Sequence, residues 1–167
     1  MRKSLFLMAS LMVLVLFAAK VRADLDADVA QALDHQGDYE DSLYNYEEGQ
    51  LSSAQSWYNT LDAGVDYYWG GMTQKQKDDC TTALAIMWNR VYSTTDGAPY
   101  YDNSVKNWDG WATTKYNQYE SNKIESYGMD FINYVGYMGN SLQSMDTKIS
   151  QGNAQGAIVQ GILNNFE

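Results

Sequence analysis

Apolar side chains recur at intervals of three and four residues through most of the chain. This spacing indicates amphipathic α-helices, because residues three and four apart share one helical face. The cleanest pattern is the seam of the C-terminal third, which comprises Ile124, Gly128, Phe131, Val135, Met138, Leu142, Met145 and Ile149 and continues in phase at Gly152, Gly156, Val159, Leu163 and Phe166. A heptad repeat of this length predicts a long helix in a bundle or coiled coil.

The same spacing predicts two helices near the N-terminus, over residues 25–33 and 39–69, with a break at Gly37 and a stop at Gly70-Gly71. The second helix has a weak stretch at Gly49 and Gln50. Its expected inward face is Leu43, Tyr46, Ala54, Trp57, Leu61, Val65 and Tyr68.

Two further helices are expected in the middle of the chain. Thr73 and Gln76 have the spacing of a capping box, which predicts a helix from there to about residue 93. Its expected inward face is Cys80, Leu84, Met87, Trp88 and Val91. After a loop at residues 94–99, a helix over about 103–121 is expected to turn Val105, Trp108, Ala112 and Tyr119 inward, with Gly110 as a candidate interruption.

These patterns predict an all-α fold: a bundle of four to five helices, mostly antiparallel neighbours, with a long C-terminal helix and no sheet. The fourteen Tyr and five Trp residues supply bulk where Leu is scarce. Gly128, Gly152 and Gly156 lie on the seam, although each costs up to about 1 kcal/mol there relative to Ala. Two explanations stay open: close approach of a helix or a large aromatic side chain, or a helix that kinks or frays at Gly152.

Residues 1–23 have the three parts of a secretory signal peptide. These are a basic start, an apolar run over residues 5–19, and Val21-Arg22-Ala23 before a predicted cut at Asp24. The run is shorter than the roughly 20 residues that a membrane-spanning helix needs. The prediction is a secreted protein, in the extracellular space or a secretory granule, whose residues 24–167 form a single acidic helical domain. Because Lys20 and Arg22 are charged, a retained anchor is the alternative.

Charge narrows the classes of partner. The net charge is −10, and removal of residues 1–23 would take away four basic residues and no acid, leaving −14. Such a chain repels the phosphates of nucleic acid and anionic membrane surfaces, so protein partners, especially basic ones, or divalent cations are favoured. Between Asp24 and Gln74 there are eleven acids and no Lys or Arg. The alternative for this stretch is an ordinary solvated helix face.

Few residues carry candidate chemistry. Asp24, Asp26 and Asp28 alternate like the first ligands of an EF-hand loop, but Val29 and His35 occupy the positions that require Gly and Glu. An EF-hand is therefore excluded, and weak calcium binding by these acids is what remains. With one His and one Cys, neither a zinc site nor a triad based on either residue is expected.

No catalytic residue or organic cofactor is predicted, and the chain is interpreted as a non-enzyme. The paired carboxylates Asp62 and Asp66, beside Trp69, are interpreted as part of an ordinary solvent-exposed helix face. Cys80 is expected to be buried, with the neighbouring acids raising the pKa of its thiol. An intermolecular disulfide through Cys80 is the alternative.

The predicted interaction surface combines an aromatic pair with the heptad seam. Trp108 and Trp111 are suited to stacking on a ligand or anchoring an interface, although core packing is the alternative. The seam residues proposed to join them are Phe131, Val135, Met138 and Leu142.

The preferred hypothesis is a secreted structural or interaction protein that self-assembles or binds proteins and responds to cations. One alternative is a carrier that holds a small hydrophobic ligand inside an aromatic-lined bundle. Another is a membrane-anchored accessory subunit. A seam that is covered within one chain would favour the carrier, which is expected to be a closed monomer, over assembly through an exposed apolar stripe.

Overall fold

The computed structural model describes the backbone of residues 2–166 and the side chains of residues 20–166. The described backbone contains no strand, and its five α-helices are α1 (Arg2–Ser42), α2 (Glu48–Tyr68), α3 (Gln74–Val91), α4 (Ala98–Asn122) and α5 (Glu125–Leu163). A π-helical segment, Leu43–Glu47, joins α1 to α2, and a short 3-10 turn follows α2. The predicted all-α bundle with a long C-terminal helix is confirmed.

The first two α-helices form one rod, because the π segment keeps the chain helical between them. The predicted break at Gly37 is wrong: Gly37 lies exposed inside α1, with nothing within 4 Å of where a Cβ would be. Its penalty of about 1 kcal/mol is small beside the packing of Val29, Ala32 and Leu43, which are buried on either side. The predicted cut between Ala23 and Asp24 also falls within α1, and most of the predicted leader lies outside the residues whose side chains are described.

The rod formed by α1 and α2 runs parallel to α5. Close approaches pair Tyr39 with Gly139 and Trp57 with Gly156, a constant separation of about 100 residues along the chain. The chain returns between them through α3 and α4, which run antiparallel to α5. The fold is therefore an up-down-up bundle of three rods, with the middle rod interrupted between Val91 and Ala98.

Two apolar clusters fill the bundle. One lies mainly among α1, α4 and most of α5, with Leu51 and Ala54 of α2 and Val91 of α3, and the other lies among α2, α3 and the end of α5. The heptad seam supplies both, since its residues from Gly128 to Leu163 are buried as predicted. The two ends of the pattern differ: Ile124 is the exposed N-cap of α5, and Phe166 lies beyond the helix.

The seam glycines are explained by close packing. A Cβ at Gly156 would lie 2.8 Å from Cζ3 of Trp57, and one at Gly152 would lie 2.8 Å from Cγ1 of Val91. A Cβ at Gly128 would lie 3.0 Å from the ring of Tyr119. The helix α5 continues without interruption through all three positions, so it does not fray at Gly152.

Some predicted inward positions face solvent. Tyr46 is exposed while Glu47 is buried, because the wider turn of the π segment rotates the face that α1 and α2 present. Trp88 is also exposed, at the edge of its helix face, and Trp108 is half-buried. The helix predicted over 103–121 begins five residues earlier, at Ala98 with Pro99 in its first turn, and passes through Gly110 without a break.

The predicted start of α3 is confirmed in detail. The backbone N–H of Gln76 donates to Oγ1 of Thr73 at 3.3 Å, and the backbone N–H of Thr73 donates to Oε1 of Gln76 at 2.9 Å. These reciprocal bonds form the capping box that the spacing indicated. They fix the direction in which the chain enters α3 after the Gly70-Gly71 turn.

Candidate functional site

Four aromatic rings meet on the outer surface between α4 and α5. We call this cluster, formed by Trp108, Trp111, Tyr134 and Tyr137, the aromatic patch. The ring centroids of Trp108 and Trp111 are 4.8 Å apart with their planes nearly perpendicular. The ring of Trp108 also stacks on Tyr134, with centroids 5.7 Å apart, and lies 4.8 Å from Tyr137. Trp108 is thus the centre of the patch.

The patch follows from the helical spacing of its members. Within each helix the two aromatic residues are three positions apart, so they project from the same face. The antiparallel course of α4 and α5 then brings the two pairs together. An ion pair beside the patch, between Nζ of Lys115 and Oδ2 of Asp130 at 2.8 Å, links the same two helices.

Half of the patch is open to solvent. Trp111 is 52% exposed and Tyr137 is 46% exposed, whereas Trp108 and Tyr134 are partly buried beneath them. Buried rings that support exposed rings form a firm apolar platform with little side-chain freedom to lose on binding. Such a platform can anchor a protein interface, stack on a sugar ring or accept the cation of an Arg or Lys side chain.

The structure separates the two parts of the predicted interaction surface. Trp108 and Trp111 lie in the patch, but Phe131, Val135, Met138 and Leu142 are at most 8% exposed within one chain. These four seam residues therefore build the intramolecular core and offer no open stripe. Sequence reasoning missed Tyr134 and Tyr137, although their three-residue spacing, matching that of the two tryptophans, is a signal that could have identified them.

The three candidate calcium ligands are not brought together. Oδ1 of Asp26 accepts a hydrogen bond from the hydroxyl of Tyr119 at 2.5 Å. Asp24 and Asp28 instead face a groove of about 360 Å³ between α1 and α5. Residues two apart on a helix point in different directions, whereas residues four apart share a face, which is why Asp26 points away from Asp24 and Asp28. Among the side chains that the structure describes, no group of three or more metal-binding residues occurs.

The bond between Tyr119 and Asp26 ties α4 to α1. Tyr119 is almost fully buried. Burial, together with its hydrogen bond to the Asp26 carboxylate, raises the pKa of Tyr119 to about 12. The phenol therefore stays protonated throughout the physiological range and acts as a structural donor.

Cys80 is free and fully buried, as expected. Burial and then the nearby charge of Asp79 raise the pKa of its thiol. Both effects suppress the thiolate that disulfide exchange requires. A disulfide between chains, the alternative for Cys80, would require α3 to open.

Several carboxyl groups are partly desolvated where α1 ends. Burial, and then a hydrogen bond and repulsion from Asp109, raise the pKa of Glu40. Asp109 also accepts a hydrogen bond from Nε2 of the buried Gln36 at 2.6 Å, which connects α1 to α4. Burial and the charge of Asp146 raise the pKa of Glu47. Gln36 and Asp109 thus join two helices, and none of these carboxyl groups lines the three grooves described in this section.

The paired carboxylates Asp62 and Asp66 lie along a second groove, of about 540 Å³, between α2 and α3. Tyr58 and Trp69 also line it. The single histidine, His35, lines a third groove, between α1 and α5, of about 310 Å³.

Within the described residues, no helix has the length and apolar character needed to cross a bilayer.

The features of greatest functional interest are therefore the aromatic patch and the acidic groove between α2 and α3. Comparison of the chain with protein-family models, with curated proteins and with solved structures finds no match.

Proposed function

We propose that this chain is a secreted, non-enzymatic protein that acts by binding another protein through the aromatic patch. The observation that carries the proposal is the exposure of Trp111 and Tyr137 above two supporting rings. Exposed aromatic side chains in well-packed surroundings are the residues that most often dominate a protein interface. The heptad seam, which is covered within the chain, takes no part in this role.

Charge favours a basic protein as the partner. The net charge of −10 opposes the approach of a second copy, whereas it attracts a cationic partner. Arg and Lys side chains of that partner can also stack on the open faces of Trp111 and Tyr137. A second copy of the chain, which would bind through the same surface in self-assembly, is the alternative partner.

The secretory part of the proposal rests on residues 1–23. A basic start, a short apolar run and small residues before Asp24 are the features that support it. Expression in a secreting host followed by N-terminal sequencing of the exported chain tests this part. An Asp24 start is expected, whereas a chain that begins at Met1 and sediments with membranes would favour the anchored accessory subunit.

The larger of the two grooves between α1 and α5 supports a second candidate function, which is transport of a small hydrophobic ligand. Leu25, Met129 and Ile132 line this groove of about 360 Å³. The site differs from the enclosed bundle interior first expected for a carrier, because it lies at the surface. A carrier would retain an apolar dye when the patch is mutated, which separates the two functions.

The patch is tested by binding of a fluorescent, lysine- and leucine-rich amphipathic peptide, measured by anisotropy at low and physiological salt. Trp111→Ala with Tyr137→Ala is expected to weaken binding at least tenfold. Trp88→Ala with Tyr46→Ala is the matched control, because these residues are 48% and 56% exposed and lie outside the patch. Equal loss in both double variants, or no loss in either, would contradict the patch as the binding surface.

Sedimentation velocity of the chain alone tests whether a second copy of the chain binds the patch instead of a basic partner. A monomer at physiological salt is expected, with and without millimolar calcium. Oligomers that disappear in the Trp111→Ala, Tyr137→Ala variant would make a second copy the occupant instead of a basic partner.

A further inference from the structure

The groove between α2 and α3 combines acidic, aromatic and apolar surfaces without using the aromatic patch. We propose that it binds a small organic cation: an amine with an apolar or aromatic body. The groove is lined by Tyr58, Asp62, Val65, Asp66, Trp69, Thr81, Leu84 and Ala85. Its volume of about 540 Å³ lies in the range of small-molecule sites.

Two carboxylates give the groove its charge. Asp62 and Asp66 are one helical turn apart on α2, and both are exposed. In the part of the chain that the structure describes, the ion pairs involve neither carboxylate. An ammonium group between them would therefore gain two charged acceptors without displacing an existing basic partner.

The apolar part of the groove suits the body of such a ligand. Val65 and Leu84 are buried and form its floor. Tyr58 is held at one end by an edge-to-face contact with Tyr92, with centroids 5.5 Å apart. Trp69, 41% exposed, provides a second aromatic wall. An amine can thus place its body on the floor and its cation between the carboxylates.

A lysine outside the residues that line the groove contacts one of its walls. Nζ of Lys77 lies 5.2 Å from the centroid of Trp69. This contact illustrates the preference of the ring for positive charge. It also makes Lys77 a competitor, because its charge repels an incoming ammonium group and occupies a ring that the ligand would use. Removal of the Lys77 charge should consequently improve binding.

The test is calorimetric titration of the full-length chain with 2-phenylethylamine as the probe, at fixed ionic strength. Saturable binding is expected, and Asp62→Asn with Asp66→Asn should weaken it at least tenfold. The matched control is Asp34→Asn with Asp38→Asn, which removes the same charge from an exposed pair with the same spacing on α1. This control should change the affinity by less than about twofold, since its carboxylates lie far from the groove.

Analogues separate charge recognition from apolar binding. The neutral 2-phenylethanol and the anionic 3-phenylpropionate should bind at least tenfold more weakly than the amine, and Lys77→Gln should raise the affinity for the amine. Equal binding of all three probes, equal loss in both Asp double variants, or no saturable binding to the folded chain would overturn the proposal. Trp111→Ala with Tyr137→Ala should leave amine binding unchanged, so this site and the proposed protein-binding surface fail independently.

Discussion

Glu47 places a carboxyl group inside the bundle. The residue is 5% exposed, and its Oε2 atom is buried without a hydrogen-bond partner among the described residues. Burial, reinforced by Asp146, raises the pKa of Glu47, so the folded chain holds this proton more tightly than the unfolded chain. The associated stability is present below the unfolded-state pKa and is lost as the pH rises through the folded-state pKa.

Replacement of Glu47 by Gln should therefore stabilise the protein at pH 7 by roughly 1 kcal/mol, because the buried ionised form is removed. Urea unfolding at pH 7 and pH 4 measures this effect, and the gain should shrink at pH 4. Glu48→Gln is the control of opposite sign, since Oε1 of Glu48 lies 2.6 Å from Nζ of Lys106. A Glu47→Gln variant less stable than wild type at pH 7 would contradict the assignment.

The environment of Glu47 also shows where sequence reasoning stops. A helical pattern assumes a constant rotation per residue, and the π segment changes that rotation at one place. Tyr46 is consequently outside and Glu47 inside. The weakness of the apolar pattern around Gly49 and Gln50 is the trace that this irregularity leaves in the sequence.

At the scale of elements, one small residue lets α2 pack closely against α5. Gly156 allows the indole of Trp57 to reach the backbone of α5, and Sδ of Met87 would lie only 3.1 Å from an added Cβ. Close approach of a large aromatic side chain was one of the two explanations that the sequence left open for a glycine on the heptad seam. It did not identify Trp57 as the partner, since helix order and direction are set by the whole chain.

Gly156→Ala should destabilise the protein by about 1–3 kcal/mol, because the indole, with Met87 beside it, must move to admit the methyl group. Gly136→Ala is the matched control in the same helix, where nothing lies within 4 Å of an added Cβ. There the higher helix propensity of Ala should stabilise the protein by up to about 1 kcal/mol. Thermal unfolding followed by circular dichroism measures both, and a Gly156→Ala variant as stable as Gly136→Ala would contradict the close packing.

Only two of the four residues of the aromatic patch were predicted from the sequence. Trp108 and Trp111 stand out as a local motif, whereas Tyr134 and Tyr137 lie off the seam of α5 and belong to no predicted face. Their meeting depends on the register between α4 and α5. That register is fixed by contacts such as Tyr119 against Gly128, which a single sequence does not reveal.

At the scale of the whole molecule, negative charge is concentrated in one rod. The segment from Asp24 to Gln74 supplies eleven acids and no Lys or Arg, and it comprises α1 from Asp24 onward, the π segment, α2 and the turn after α2. Salt should therefore stabilise the fold by screening repulsion within this rod. Because Asp26 is bonded to Tyr119 and only Asp24 and Asp28 line the same groove, calcium should act only through such screening.

The expected outcome is a melting temperature that rises with added NaCl and responds equally to calcium and magnesium at matched ionic strength. Differential scanning fluorimetry at pH 7 measures it. The Asp24→Asn, Asp28→Asn variant should show the same equality of the two cations. A rise specific to calcium that is lost in this variant would instead indicate a cation site in the groove between α1 and α5.

The parallel pairing of the first rod with α5 also sets the timing of assembly during synthesis. Each contact between them joins residues about 100 positions apart, so the N-terminal rod has to wait for its partner to be made. At about 5–20 residues per second, the wait is about 5–20 seconds. During that interval the apolar face of α1 and α2 is without its final cover, and its eleven acids keep neighbouring nascent chains apart. The acidity of this rod would then protect the protein before it has folded.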